Sequence, residues 1–264
     1  MIIEKLNGDV MGTLNKLIIT GCMLFACTQT YAVSKTIEFT ADAVVSIPQQ
    51  PVKETRLFVS KNAVRSETSV GGQKIIEIIY SDEGKAVLIN EPLKSYKERM
   101  FPVQKNINDS NNPCDQIQNA VCEKLGVEKI DGLKTEKWQI ISNNRGRKLR
   151  TLHWVDVKRK LALREFFPDG SVAELKMLKK EKTNGRDAEK WERTLSHPDG
   201  NVTKSYQWYD AGLKISIKEE LPGGYVRELR NIKIGKQSKE LFKVPEGYRK
   251  IEMTPAAYPE YMSR

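Results

Sequence analysis

The stretch that ends at Lys236 nearly repeats the stretch before it. Laid without a gap at a shift of 54, Trp154–Lys182 falls on Trp208–Lys236. Trp154 meets Trp208, Asp156 meets Asp210, Lys160 meets Lys214 and Glu165 meets Glu219. Pro168, Gly170, Glu174 and Leu175 meet Pro222, Gly224, Glu228 and Leu229. Upstream, with one residue of slip, Gly132, Glu136, Lys137 and Trp138 fall on Gly185, Glu189, Lys190 and Trp191. A period of this length marks a repeated supersecondary unit. Each unit, 131–182 and 184–236, reads as strand, turn, strand, so the repetition extends one sheet and creates no second catalytic centre. Both units fall in a single β domain, residues 33–264.

The pattern outside the repeat is also that of strands. Apolar alternation recurs about every ten residues from Thr36 to Phe101, broken by turns such as VGGQ and SDEGK. The joins in the repeated part are NNRG, PDG, HPDG and PGG, with glycine supplying positive φ. Fourteen strands are expected in all, with one helix, Cys114 to Leu125, stopped at Gly126. Leu152 and Trp154 share a strand face, as do Tyr206 and Trp208. The fold expected is mainly β: a strongly curved antiparallel sheet, an open half-barrel with one or two short helices, wrapped around an apolar interior. Both a filled and a hollow interior are consistent with the pattern. Trp138, Trp154, Trp191, Trp208 and Tyr206 are the candidates to line it, either as core packing or as a ligand wall.

The amino terminus reads as a secretion signal over residues 1–32, with Met11 the better start. From there a short basic region precedes the apolar run LIITGCMLFAC and a small-residue cleavage site with Thr30 and Ala32 at its recognition positions. Cleavage after Ala32 is preferred to lipidation. Cutting at Cys22 would leave almost no apolar core, and Phe25 is a poor residue before a lipidation site at Cys27. The expected location is therefore the periplasm. Of the 4 cysteines, two leave with the signal. Cys114 and Cys122 are then expected to form a disulfide across a short loop, which a straight helix between them would not permit.

Charge is unevenly spread. Residues 33–125 hold 12 Lys/Arg against 12 Asp/Glu, whereas residues 126–264 hold 30 against 20. The densest part is Arg145, Arg147, Lys148, Arg150, Lys158, Arg159 and Lys160. It suits an anionic partner such as a lipid headgroup or an acidic protein surface, or else a solvated strand face. Nucleic acid is not expected in that compartment.

Signs of catalysis are scarce. The two histidines, His153 and His197, stand in no metal-binding spacing, and there is no nucleophile elbow or phosphate loop. The expectation is no enzyme, no metal and no cofactor.

Two stretches carry a family pattern. Leu57–Thr68 (LFVSKNAVRSET) and Gly72–Arg99 (GQKIIEIIYSDEGKAVLINEPLKSYKER), with a basic residue at Arg65, resemble exported proteins related to the lipoprotein carriers LolA and LolB. The closing LFKVPEGYRKIEM, with Phe242, Pro245, Gly247 and Tyr248, resembles the end of the same group. The resemblance spans roughly residues 36–251. It implies an open β-barrel plugged by helices, with an apolar concavity for acyl chains. Two departures stand out: one helix candidate where the carriers have several, and extra length from the repeated hairpins. Two functions follow. One is a periplasmic carrier or sensor of a lipid, acyl chain or lipidated protein, touching the membrane peripherally. The other is a ligand-free β-scaffold that binds or regulates a protein partner of the envelope.

Overall fold

The computed structural model describes residues 37–101, 113, 120–144 and 146–252. The leader at 1–32 therefore lies outside the described residues. Among the described residues the chain forms sixteen strands. Six make a first meander: β1 (Phe39–Ser46), β2 (Lys53–Val59), β3 (Ala63–Val70), β4 (Gln73–Tyr80), β5 (Lys85–Asn90) and β6 (Ser95–Met100). Nine make a second: β7 (Ala120–Ile130), β8 (Leu133–Asn144), β9 (Arg147–Asp156), β10 (Ala162–Phe166), β11 (Val172–Thr183), β12 (Arg186–Ser196), β13 (Val202–Asp210), β14 (Ile215–Leu221) and β15 (Tyr225–Ile234). The last, β16 (Arg249–Lys250), is two residues long.

All sixteen belong to one sheet in the order β16-β6-β5-β4-β3-β2-β1-β15-β14-β13-β12-β11-β10-β9-β8-β7. Every pairing is antiparallel except β16 with β6, so the sheet is mixed rather than purely antiparallel as expected. It does not close into a barrel. The expected helix is also corrected. Ala120–Leu125 is strand, hydrogen-bonded to β8 with Cys122 opposite Ile140. Neighbours decide this: Val121 and Val127 are β-branched, and a bulge at Leu125 absorbs the glycine that reads as a helix stop. Among the described residues the only helical turns are of the 3-10 type. None is long and apolar enough to cross a membrane.

A sheet this wide coils. Neighbouring strands rotate by roughly 20–25°, so sixteen accumulate most of a turn. Contacts that skip strands show it. Arg159, in the β9–β10 turn, reaches over β10 and β11 to Glu189 on β12. Asn184, in the β11–β12 turn, reaches past β13 and β14 to the Leu229 carbonyl on β15.

The register defines two faces on the first meander. One, here the strap face, carries Ile76, Ile78, Val87 and Ile89, all at most 1% exposed. The segment after β15 crosses it: Phe242, Val244 and Tyr248 pack on this cluster. Arg65 Nη1 donates to the Leu241 carbonyl and Tyr80 Oη to that of Phe242. The other, the ladder face, carries Phe39, Ala41, Leu57, Val59 and Val64 beside a cluster that includes Trp208, Ile217 and Leu229. A third cluster gathers Leu161, Leu163, Leu175, Trp191 and Tyr209.

Positions 54 apart in the second meander share their geometry. Asp156 and Asp210 are each 2% exposed. Asp156 Oδ1 accepts the Lys158 and Arg159 amides, and Asp210 Oδ1 those of Gly212 and Leu213. Lys160 and Lys214 close these turns at φ +61° and +59°. That region disfavours residues with a Cβ, and the buried aspartates hold it. At the opposite ends, the Pro-Asp-Gly turns at 168–170 and 198–200 stack. Gly170 has φ +85°, and a Cβ there would lie 3.2 Å from the Pro198 ring.

Asp210→Ala strips two amides and Arg186 of their acceptor. It is expected to cost about 3 kcal/mol in urea unfolding, and Asp156→Ala a similar amount.

Candidate functional site

The basic stretch predicted from sequence is not one patch. Arg147, Lys148 and Arg150 are exposed at the start of β9. Lys158, Arg159 and Lys160 follow its other end, roughly 30 Å away at 3.3 Å per residue. Arg145 lies outside the described residues. Arg159 is already engaged: its Nε and Nη2 donate to the two Glu189 oxygens at 2.7 and 2.9 Å. Its guanidinium also sits 5.5 Å from the Trp191 ring. The bidentate bond raises the Arg159 pKa and holds the Glu189 carboxyl below the usual range, against the opposing effect of burial. Of the two cysteines expected to form a bridge, Cys122 lies on β7 and Cys114 lies outside the described residues.

The four indoles are buried, at 8% (Trp138), 5% (Trp154), 1% (Trp191) and 4% (Trp208) exposure. They are not gathered round one cavity, since Trp208 and Trp191 belong to separate clusters. Each lies under a cation. Lys124 is 6.0 Å from Trp138, and Lys137 is 4.7 Å from Trp154. Lys190 and Lys218 stand 4.6 and 4.5 Å from Trp208, and Lys190 also 4.8 Å from Tyr206. Trp154 Nε1 donates to Glu128 at 2.8 Å, and Trp208 Nε1 to Glu181 at 2.6 Å, each across an intervening strand. These contacts brace neighbouring hairpins, as desolvated cation–π pairs can.

Polar groups in the second meander also line the sheet. Trp138, His153 and Glu165 form one cross-strand row. His153 Nε2 is 3.1 Å from Thr151 Oγ1 and Nδ1 is 3.4 Å from Glu165, which also accepts from Arg193 at 3.0 Å. Burial pushes the His153 pKa down, and the Glu165 charge opposes that. The matching row in the next unit is Trp191, Gln207, Glu219 and Arg227, with Arg227 paired to Glu219. Carboxylate meets cation in both rows, which is structural pairing rather than acid–base machinery. Ser171 Oγ lies 3.2 Å from His197 Nδ1 where the Pro-Asp-Gly turns stack. Among the described residues no group of three His, Cys, Asp or Glu could hold a metal ion.

The arrangement best suited to a ligand lies on the ladder face of the first meander. Register aligns Phe39, Val59, Val64, Ile79 and Ala86 in one row across β1 to β5. The row spans about 19 Å at 4.8 Å per strand. Leu57 and Leu88 flank it, and Leu57, Val64, Ile79 and Leu88 are only partly buried. It ends on β6 at Arg99, opposite Ala86, with Lys97 opposite Leu88. Arg99 is 45% exposed and 3.7 Å from Glu77. Strand alternation from Leu57 to Arg99 carries this signal. Sequence reading placed the interior candidates on the aromatic residues of the second half instead.

Solved structures similar to this chain include LolA-superfamily proteins. A LolA-superfamily protein from Nitrosomonas europaea is 9% identical over 79% of this chain and 91% of its own, with a TM-score of 0.35. A domain from Vibrio parahaemolyticus named for outer-membrane lipoprotein sorting is 12% identical over 80% and 91%, also at 0.35. A DUF1329 family protein from Desulfovibrio piger is 12% identical over 80% and 91%, at 0.30. Residues 43–157 match a family model described only as a domain of unknown function, DUF4412. No curated protein matches the chain. Likeness at this level carries neither a ligand nor a residue role to this protein.

The Arg159–Glu189 bridge makes a pH prediction. A carboxyl with a lowered native pKa stabilises the fold above the ordinary glutamate value, about 4.3, and loses that contribution as pH falls through its native value. Thermal unfolding followed from pH 6 to pH 3 is expected to show a shallower loss of stability in Glu189→Gln than in the parent.

Proposed function

We propose that this chain is an exported protein of the cell envelope that binds a lipid, an acyl chain or a lipidated protein, as carrier or sensor. The apolar row from Phe39 to Ala86, partly open and ended by Arg99, carries the reading. Hydrocarbon laid along Val64, Ile79 and Leu88 leaves water at about 25 cal/mol per Å². Arg99 and Lys97 stand where an anionic end group would finish. The sequence of residues 1–32, read as a leader, supports a periplasmic location, where such a ligand is handled.

The test is purification of the exported form without detergent, then native mass spectrometry and organic extraction. A stoichiometric adduct of lipid mass is expected. Ile79→Asp should weaken uptake of a fluorescent fatty acid at least tenfold while unfolding stays cooperative. Arg99→Glu should weaken a fatty-acid probe more than its neutral alcohol. A clean apo mass, with no probe uptake by the parent, would overturn the reading and favour a ligand-free scaffold.

A further inference from the structure

Strand β11 is exposed in a way its place in the sheet does not require. It lies between β10 and β12, yet Lys176, Met177, Leu178, Lys179 and Lys180 are all exposed in succession. Pairing explains this. With β12, β11 is bonded from Val172 to Thr183, but with short β10 only from Val172 to Glu174. Beyond Glu174 one side of β11 has no strand beside it among the described residues. A bulge between Met177 and Lys179 turns the strand at that point.

The chemistry of this ribbon is specific. Met177 and Leu178 are 39% and 46% exposed, side by side. Lys176, Lys179, Lys180 and Lys182 flank them along the strand. Residues 176–190 hold six Lys or Arg (176, 179, 180, 182, 186, 190) against three Asp or Glu (181, 187, 189), a net charge of +3. Lys179 pairs with Glu181 and Lys182 with Asp187, at 2.7 and 3.3 Å. Both lysines are more than half exposed. Pairs so open to water hold a lysine weakly and leave it able to turn to another anion. Two adjacent exposed apolar side chains flanked in the strand by lysines are complementary to the interface of an anionic bilayer. There the lysines meet phosphates and the apolar pair enters the headgroup boundary.

We infer that the β11 ribbon, Lys176–Lys182, docks this protein on the surface of an anionic phospholipid membrane. This does not rest on the acyl-binding reading, since the ribbon and the apolar row lie on different meanders. The site differs from the basic stretch at Arg147–Arg150, which has no exposed apolar pair between its cations.

The experiment is co-sedimentation of the detergent-free exported protein with vesicles of phosphatidylcholine alone or with one third phosphatidylglycerol. Binding to the anionic vesicles is expected, falling steeply as salt rises. Each lysine near such a surface contributes roughly fivefold. Lys179→Glu with Lys180→Glu should therefore lower binding at least tenfold, while Tm stays within a few degrees. Met177→Ser with Leu178→Ser should remove the part of binding that survives high salt. Three outcomes would overturn the proposal: no binding by the parent, equal binding to neutral vesicles, or unchanged binding by both variants. Loss on reversing Arg147, Lys148 and Arg150 in place of the β11 lysines would also overturn it. Fatty-acid uptake, measured on the same variants, separates failure here from failure of the acyl-binding reading.

Discussion

The structure depends on the pairing of β1 with β15. Each meander could form from neighbouring hairpins alone, but either by itself would end in an unpaired strand at its apolar centre. Seven register pairs, Phe39 with Ile234 through Ser46 with Val226, join the two into one sheet. The seam also unites Phe39, Ala41 and Ala43 with Leu229, Ile217 and Trp208 in a single cluster. Asn231 adds a bond across it to Asp42, and Arg56 meets Asp42 from the other side.

Around that seam the two meanders solve burial differently. The first uses aliphatic residues on both faces and covers one of them with a returning segment, pinned by Arg65 and Tyr80. The second has no such cover among the described residues. It is strengthened by long side chains that skip strands: Arg159 to Glu189, Trp154 to Glu128, Trp208 to Glu181. A charged sheet can thus be rigid without a thick core, because each indole lies under a lysine or arginine, and those of Trp154 and Trp208 are also tied by carboxylates. The open apolar row lies on the first meander, and an ion pair that skips β5, Arg99 with Glu77 at 3.7 Å, closes its β6 end.

Much of the fold was legible because strand alternation and glycine turns are local signals. Val64, Ile76, Ile78, Val87 and Ile89 announced their strands, and the Pro-Asp-Gly turns at 168–170 and 198–200 were visible as glycine-bearing joins. What failed was non-local. Ala120–Leu125 carries a helix-like string with a glycine stop, and only its pairing to β8 makes it strand. The parallel partner β16 is two residues long and exists because the segment from Lys239 first crosses the strap face. The basic stretch looked continuous because sequence does not show that β9 separates its halves, or that Arg159 is spent on a glutamate thirty positions away. The candidate row escaped notice for the opposite reason. Its members are ordinary strand residues, and only the register across five strands reveals them as neighbours.

The seam has a kinetic side. Ala43 and its partner Leu229 are 186 positions apart (229 minus 43) in a chain of 264. At roughly 5–20 residues per second of synthesis, β1 waits on the order of ten seconds or more for β15. In that interval the first meander can be complete while its edge strand β1 still offers unsatisfied amides and an apolar flank. Contacts this distant in sequence form slowly and leave such edges open to wrong pairing. The joint that unites the two meanders is therefore made late, and the nascent chain is open to wrong pairing along β1 until β15 arrives.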